Sequence, residues 1–239
     1  MIMRFEDRYS RIADGPDPQE IVLLMGRGCF WKKCSFCDYH EDRGPDEVSV
    51  PLDLRVLAQV TGEFGRLVVL NSGSYFELPR EIRECVLEIC RDKSITHLHM
   101  ESHWRMAEQT RRLKAALLAE GIWLHPRIGI ETFDEDFREA VMLKGMGRGV
   151  APEAIAEIYD ECCLLFGMAG QSREQLLRDI AIARAHFSRV YVNIFNDNTT
   201  AVKADPALID WFIQTLYPAL AEDSTFCVLI ENTALGVGD

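Results

Sequence analysis

The segment Gly26–His40 reads GRGCFWKKCSFCDYH and places Cys29, Cys34 and Cys37 in a C-x4-C-x2-C arrangement. The three thiolates can face one point only if the backbone between them is a loop, because a helix would not bring Cys29 to the side that the other two share. Thiolates suit a soft centre such as zinc or an iron–sulfur cluster. Either His40 completes a four-ligand zinc site, or three cysteines hold a [4Fe–4S] cluster with one open iron.

The composition is that of an acidic globular protein. The chain has 239 residues, of which 48% are hydrophobic, and its formal net charge is −12. This length suits a single α/β domain, which we expect over 1–239, with an N-terminal arm at 1–20 and the alternating strands and helices at 21–235. The negative charge argues against intact nucleic acid as a partner, because phosphate contacts need a basic surface.

Cysteine usage and the N-terminus predict a cytoplasmic protein. The N-terminus carries no long apolar run of the kind found in signal peptides, and no stretch approaches the length of a membrane span. Five cysteines outside the loop lie in apolar segments, where thiols behave as small hydrophobes rather than as disulfides: Cys85, Cys90, Cys162, Cys163 and Cys227.

Strand and helix patterns alternate along the whole chain. Apolar runs predict strands at 21–25, 66–70, 96–100, 123–130, 162–166, 190–195 and 226–230. Helical patterns predict helices at 51–63, 79–91, 103–120, 134–143, 152–159, 172–187 and 206–220, with Pro51 in the first turn of its helix and Ser172 with Gln175 as a capping box. The alternation indicates βαβ units and a parallel sheet, either as a partial barrel or as a doubly wound open sheet.

Polar residues or glycines follow almost every predicted strand. In parallel α/β folds, ligands bind at the carboxyl ends of the strands. The sequence therefore predicts one functional rim, made of 29–38, 71–74, 101–105, Glu131, 167–170, 196–198 and Glu231.

The cysteine loop and its preceding strand resemble a known superfamily. The strand Ile21–Met25 ends in a glycine, and the loop that follows has an aromatic residue, Phe36, just before its last cysteine. This arrangement resembles the cluster loop of the radical S-adenosylmethionine (radical SAM) enzymes, whose common spacing is C-x3-C-x2-C. The first interval here has one extra residue. The resemblance implies Cys29, Cys34 and Cys37 as ligands of a [4Fe–4S] cluster, and it favours a partial (β/α)6 parallel barrel.

Three strand ends extend the resemblance to the SAM site. The segment 71–74 falls where the family has a Gly-Gly-Glu stretch beside the SAM amino group, although its glutamate is absent. The segment 129–132 resembles the family's ribose contact, and 165–174 resembles its adenine-side motif. The implied cofactor-binding residues are Phe36, Asn71, Ser72, Gly73, Glu101, Arg105, Glu131, Gly167 and Met168. Arg105 follows Glu101 by four residues, so it pairs with that residue on a helix face or holds the SAM carboxylate.

The resemblance implies reductive cleavage of SAM to a 5′-deoxyadenosyl radical that takes a hydrogen atom from a substrate. It also implies an external reductant such as flavodoxin or ferredoxin. The loop, the short barrel and the ending 230–238 are most similar to the radical SAM lyases of queuosine salvage, which release the base queuine from queuosine 5′-phosphate. Residues for such a substrate are Asp38, Tyr75, Arg148, Asn196, Asp197 and Glu231. Arg148, in its glycine-rich loop, could bind a phosphate with help from backbone N–H groups. No catalytic residue is assigned.

Two alternatives from other classes stay open. One is a radical SAM enzyme that modifies RNA, a peptide or another small metabolite; the acidic charge argues against the RNA form. The other is a non-enzymatic iron–sulfur or zinc protein, which would have no use for the polar strand ends.

Overall fold

The computed structural model describes residues 2–230. The contacts divide this part of the chain into two compact units, one formed by 2–30 and 39–126 and the other by 31–38 and 127–230. The cysteine loop, defined as Cys29–Cys37, therefore contributes its first cysteine to the first unit and its other two to the second. The prediction of a single domain with an N-terminal arm stays a prediction.

The first unit holds the N-terminal strands and three long helices. The strands are β1 (Tyr9–Ile12), β2 (Gln19–Leu24), β3 (Arg66–Asn71), β4 (His97–Glu101) and the start of β5 (Trp123–Glu131). The helices are α1 (Asp46–Leu57), α2 (Arg80–Asp92) and α3 (Ala107–Ala119), with 3-10 turns at Phe5–Asp7, Tyr39–Glu41, Tyr75–Glu77 and Trp104–Met106. Strands β2, β3 and β4 pair in parallel order, and β1 is antiparallel to β2.

The second unit continues the same alternation. Its strands are the end of β5, β6 (Glu161–Phe166), β7 (Arg189–Ile194) and β8 (Phe226–Leu229), and neighbouring strands pair in parallel. Its helices are a π-helix at Phe137–Val141, α4 (Pro152–Ala156), α5 (Arg173–His186), α6 (Pro206–Thr215) and α7 (Tyr217–Ala221). The sheet order follows the chain from β1 to β8.

Buried strands explain why the strand predictions were accurate. Strands β2 and β3 show almost no exposed residue, and their side chains pack with those of α1 and α2 in one hydrophobic core. Continuous apolar runs of this kind are typical of parallel strands covered on both faces. Every strand predicted from the sequence is present, with its ends shifted by one or two residues.

Three details of the predicted elements were wrong. The polar arm contains β1, which adds an antiparallel edge strand. Helix α1 begins at Asp46, where Pro45 accepts the N–H groups of Val48 and Ser49, so Pro51 lies inside the helix rather than in its first turn. The helix predicted at 206–220 is two helices, because Pro218 lacks an N–H and displaces the preceding backbone.

No helix in the described part of the chain is both long and apolar enough to cross a membrane.

Candidate functional site

In the first unit, a buried carboxylate holds the backbone that enters the cysteine loop. Asp53 on α1 accepts hydrogen bonds from the N–H groups of Met25 (2.7 Å) and Gly26 (3.3 Å). Burial raises the pKa of Asp53 to about 6, although these backbone bonds and the nearby Arg8 act in the opposite direction. The backbone is therefore held at Met25 and Gly26, just after β2 and three residues before Cys29.

A second carboxylate, Glu77, holds the loop just after Cys29. It accepts hydrogen bonds from the N–H groups of Phe30 and Ser74, the latter at 2.7 Å. A Cβ atom on Gly73 would lie 2.6 Å from Glu77 Oε2 and 3.0 Å from Cys29 Cα, so only glycine allows this approach. Sequence analysis missed Glu77, although Ser74 and Glu77 have the spacing of a capping box, which the structure contains.

The other candidate residues at or near the end of β3 differ in burial and in hydrogen bonding. Ser72 is buried and donates its hydroxyl to Asp42 O at 2.7 Å, and Asn71 donates its amide to Ser74 O at 3.2 Å. The Asn71 Oδ1 atom is buried without a hydrogen-bond partner, so it can accept one from a ligand. The prediction that Tyr75 contacts substrate is wrong: its side chain is 1% exposed, packs in the core and donates its hydroxyl to the backbone oxygen of Arg83.

Glu101 and Arg105 lie on different elements. Glu101 is the last residue of β4, and Arg105 is in the 3-10 turn Trp104–Met106, where its N–H donates to His103 Nδ1 at 3.1 Å. Their spacing of four therefore does not place them on one helix face. Of the two interpretations of the sequence, the pair on a helix face is wrong, and the contact of Arg105 with the SAM carboxylate stays a prediction. Arg105 is an exposed residue beside a strand end.

In the second unit, the 141–145 segment anchors the rest of the cysteine loop. Trp31 donates its indole N–H to Leu143 O (2.7 Å), and Ser35 donates its hydroxyl to Val141 O (2.8 Å). Gly145 has a φ of +70°, and a Cβ there would lie 2.2 Å from the Trp31 ring. The tryptophan therefore rests directly on a glycine backbone.

The same segment carries a buried cation beside two of the cysteines. Lys144 Nζ lies 2.6 Å from Glu131 Oε1, and the side chains of the pair are 13% and 10% exposed. Burial lowers the pKa of Lys144, but Glu131, Cys34 and Cys37 together raise it above its ordinary value. Lys144 is thus a buried positive charge in the backbone segment that binds Trp31 and Ser35 of the cysteine loop, and sequence analysis gave it no role.

Phe36 and Met168 meet in a small apolar cluster. Met168 is fully buried with Met142, Leu165 and Phe195, and the half-buried Phe36 packs against these residues. Gly167 has a φ of +88°, and a Cβ there would lie 2.4 Å from Ile209. The predicted cofactor residues of β6 and of the loop are therefore brought together in this unit.

Two predicted substrate residues, Asp38 and Asp197, bind the segment that follows β7. Asp38 accepts hydrogen bonds from the N–H and hydroxyl of Thr199, at 3.1 and 2.9 Å. Asp197 accepts the N–H of Ala204 at 2.8 Å, which lowers its pKa, so its exposed carboxylate is charged near neutral pH. Asn196 is exposed, whereas Glu231 lies outside the described residues.

The glycine-rich loop does not offer its backbone N–H groups to a phosphate. Glu139 accepts the N–H groups of Gly145 and Met146, and Glu135 accepts those of Gly149 and Val150. These four donors are therefore not available to a phosphate while the carboxylates hold them, and the predicted phosphate contact stays a prediction. Arg148 itself forms an exposed ion pair with Asp136.

Comparison with solved structures decides the family. A queuine lyase from Clostridium spiroforme, bound to SAM and queuine, is 37% identical, with a TM-score of 0.90 over 97% of this chain and 99% of that one. The chain belongs to the queuine lyase family of radical SAM enzymes. The predicted superfamily and the partial (β/α)6 barrel are thereby confirmed.

More distant structures share the fold. Streptococcus suis SuiB matches with a TM-score of 0.58 at 17% identity, over 89% of this chain and 49% of that chain. SuiB bound to S-adenosylmethionine matches with the same TM-score at 18% identity, over 89% and 50% of the two chains. No protein-family model and no curated protein matches the sequence.

The cysteines of this queuine lyase family member have the donor chemistry of cluster ligands, although residues 2–230 contain no preassembled group of three metal-ligating side chains. No disulfide is present among the eight, all of which lie within 2–230, and the three in the loop are half-buried. Of the five others, Cys90 and Cys162 are buried in the core, as predicted, whereas Cys85, Cys163 and Cys227 are half-buried. Burial raises the pKa of Cys90 to about 12, which makes that thiol a poor ligand.

Proposed function

We propose that the protein is a radical SAM lyase that releases queuine from queuosine 5′-phosphate. The observation that carries this proposal is the 37% identity, over nearly the full length of both chains, to a queuine lyase bound to SAM and queuine. Similarity of fold alone would be weaker support, because one fold hosts many reactions.

Cys29, Cys34 and Cys37 would hold a [4Fe–4S] cluster through their sulfurs. The donor set supports this assignment, since three thiols follow one strand end within one loop and no disulfide joins them. When bound, the cluster and SAM supply a one-electron cleavage that gives methionine and a 5′-deoxyadenosyl radical. The chain's own task is to bind and orient the two groups and to exclude water.

The strand ends supply contacts that suit each part of SAM. At β3, the unpartnered Asn71 Oδ1 suits an ammonium group, and Gly73 lets the Cys29 backbone come close to this strand end. The Glu131 carboxylate suits ribose hydroxyls, and the Arg105 guanidinium suits a carboxylate. The remaining cofactor candidates are Phe36, Ser72, Glu101, Gly167 and Met168.

Carboxylates are the chemical match for the base of the substrate. A 7-deazaguanine presents an N1–H and an exocyclic amine, both donors, which one carboxylate can accept together. Asp38, Asp197 and Glu231 carry such groups, and Asn196 offers an amide. Arg148 would bind a phosphate only by exchanging Asp136 for it, because the two form an exposed ion pair.

Partners follow from the same chemistry. The proposed reaction needs one electron from a reductant such as flavodoxin or ferredoxin. The net charge of −12 disfavours intact nucleic acid, so the substrate is a small nucleotide. A cytoplasmic location is part of the proposal, supported by eight cysteines without a disulfide.

The test is an anaerobic SAM-cleavage assay. The protein is reconstituted with iron and sulfide, given SAM and dithionite, and assayed for 5′-deoxyadenosine with queuosine 5′-phosphate, with guanosine 5′-phosphate as a matched nucleotide, and with neither. Faster product formation with queuosine 5′-phosphate alone is expected. If 5′-deoxyadenosine forms slowly and neither nucleotide changes the rate, the radical chemistry stands but the assigned substrate is wrong. If the protein binds zinc tightly and does not cleave SAM, both the chemistry and the substrate are contradicted.

A further inference from the structure

We propose that Lys144 is a positioning residue that sets the reduction potential of the cluster, by holding a fixed positive charge beside Cys34 and Cys37 with Glu131 as its counter-ion. The inference rests on the proposed function, since it concerns the group that these cysteines would hold. It assigns a role to a lysine that no sequence motif marks.

The first support is the geometry of the pair. Lys144 Nζ lies 2.6 Å from Glu131 Oε1 and 5.9 Å from the centre of the Phe36 ring, and Phe36 stands between Cys34 and Cys37 in the sequence. The lysine side chain is only 13% exposed. A buried charge is screened much less than a surface charge, so its effect on neighbouring sulfurs is strong.

The second support is a backbone that is shaped around the pair. A Cβ on Gly129 would lie 2.6 Å from Glu131 Oε1 and 2.9 Å from Lys144 Nζ, so a larger residue would push the ends of both side chains from their present positions. The pairing of β5 with β6 shifts register between Gly129 and Glu131, and Glu131 has a φ of +68°. Non-glycine residues hold such conformations only where their surroundings impose them, and they concentrate at functional sites.

The third support is electrostatic. The Glu131 carboxylate gives the buried ammonium a charged partner at 2.6 Å, and the neighbouring backbone oxygens of Val141 and Leu143 accept hydrogen bonds from Ser35 and Trp31 of the cysteine loop. A cluster gains negative charge when it accepts an electron. A fixed cation beside two of its sulfurs stabilises that state, and nearby charges are among the factors that set such potentials.

The test compares four variants by EPR-monitored redox titration of the anaerobically reconstituted protein. Lys144→Met removes the cation and should lower the equilibrium constant for reduction at least about tenfold, which is 59 mV for a one-electron couple. Glu131→Gln removes the counter-ion and should raise the potential. The double variant removes both charges, so its potential should lie between those of the two single variants.

Lys33→Met is the matched control. Lys33 is the immediate neighbour of Cys34, but it is exposed and lies 5.0 Å from the Trp31 ring centre, so water screens its charge. Its removal should leave the potential unchanged. A purely structural role for the pair would shift Lys144→Met and Glu131→Gln in the same direction, or would change iron content alone.

The outcomes separate this inference from the proposed function. Opposite shifts in the single variants, with the double variant between them, support it. Unchanged potentials overturn it, and so does loss of iron from all variants of the pair, because the pair would then only build the loop. Absence of a cluster from the wild-type protein would contradict the proposed function instead.

Discussion

The two units hold their parts of the cysteine loop by opposite means. In the first unit, the carboxylates of Asp53 and Glu77 accept backbone N–H groups on either side of Cys29. In the second, backbone carbonyls of the 141–145 segment accept hydrogen bonds from Trp31 and Ser35, and the buried Lys144 cation lies 5.9 Å from the centre of the Phe36 ring. Anionic acceptors fix the backbone, whereas the cation acts on the sulfurs themselves. Changes in the first unit should therefore affect stability, and changes in the second should affect redox properties.

The largest effect should come from the cysteines, which the two units share. Replacing Cys29, Cys34 or Cys37 singly with serine should abolish iron retention and SAM cleavage, because each supplies one of three proposed ligands. Iron and sulfide content per chain is the measurement, and Cys163→Ser is the control outside the loop. Full iron in any one of the three variants would remove that cysteine from the site.

The next effect concerns pH and contrasts a satisfied carboxylate with an unsatisfied one. Burial raises the pKa of both Asp53 and Asp179 to about 6. Asp179 Oδ1 accepts the Phe133 N–H, but its Oδ2 has no hydrogen-bond partner. The folded state binds more protons than the unfolded state between about pH 4 and 6, so stability falls as the pH rises through this window.

Asp179→Asn should remove one part of this dependence. The difference in the free energy of unfolding between the variant and wild type should increase by about 2–3 kcal/mol from pH 4 to pH 7, in favour of the variant. Two pKa units correspond to about 2.7 kcal/mol. Denaturant midpoints across this range measure it. Asp53→Asn should reduce the pH dependence of stability by the same amount. It should also lower the free energy of unfolding at every pH, because the NH2 group of the asparagine would face a backbone N–H. Parallel curves for Asp179→Asn and wild type would contradict the assignment.

A smaller effect tests the anchoring of Cys29. Glu77→Ala should lower the free energy of unfolding of the cluster-free protein by about 2 kcal/mol, because two N–H groups lose a charged acceptor. Chemical denaturation gives the value, with the exposed Glu81→Ala as control. If Glu77→Ala changed the cluster potential but not the stability, the contrast between the two units would be wrong.

The smallest effect concerns Arg148 in the second unit. Its ion pair with Asp136 is exposed and contributes about 0–1 kcal/mol at most. If Arg148 binds the substrate phosphate, Arg148→Ala should raise the KM for queuosine 5′-phosphate, and Asp136→Asn should lower it by removing the competing carboxylate. If the KM for queuosine 5′-phosphate in both variants equalled the wild-type KM, the substrate phosphate would not bind at this loop.

Local patterns predicted most of the fold. The apolar runs of β2 and β3 and the cysteine spacing are visible within a few residues, so the strands and the loop could be placed from them. The start of α1 was predicted at Pro51 rather than at Asp46, because the sequence alone does not distinguish a proline inside a helix from one in its first turn. Strand β1 was missed because an edge strand needs only a weak apolar pattern.

Contacts between distant residues could not be predicted. Glu77 reaches Phe30 across 47 residues, and Lys144 meets Glu131 only because the strand bulges and the intervening segment folds back. Tyr75 was assigned to the rim from its position after a strand, but its ring points into the core. The glycine-rich loop looked ready for a phosphate, and only the structure reveals Glu135 and Glu139 on its donors.

The central claim is that this chain releases queuine, and mass spectrometry of the free base tests it most directly. Reconstituted protein with SAM and dithionite should release queuine from queuosine 5′-phosphate, and the Cys34→Ser protein should release none. Equal release by the two proteins, or none by the wild type while it cleaves SAM, would contradict the claim.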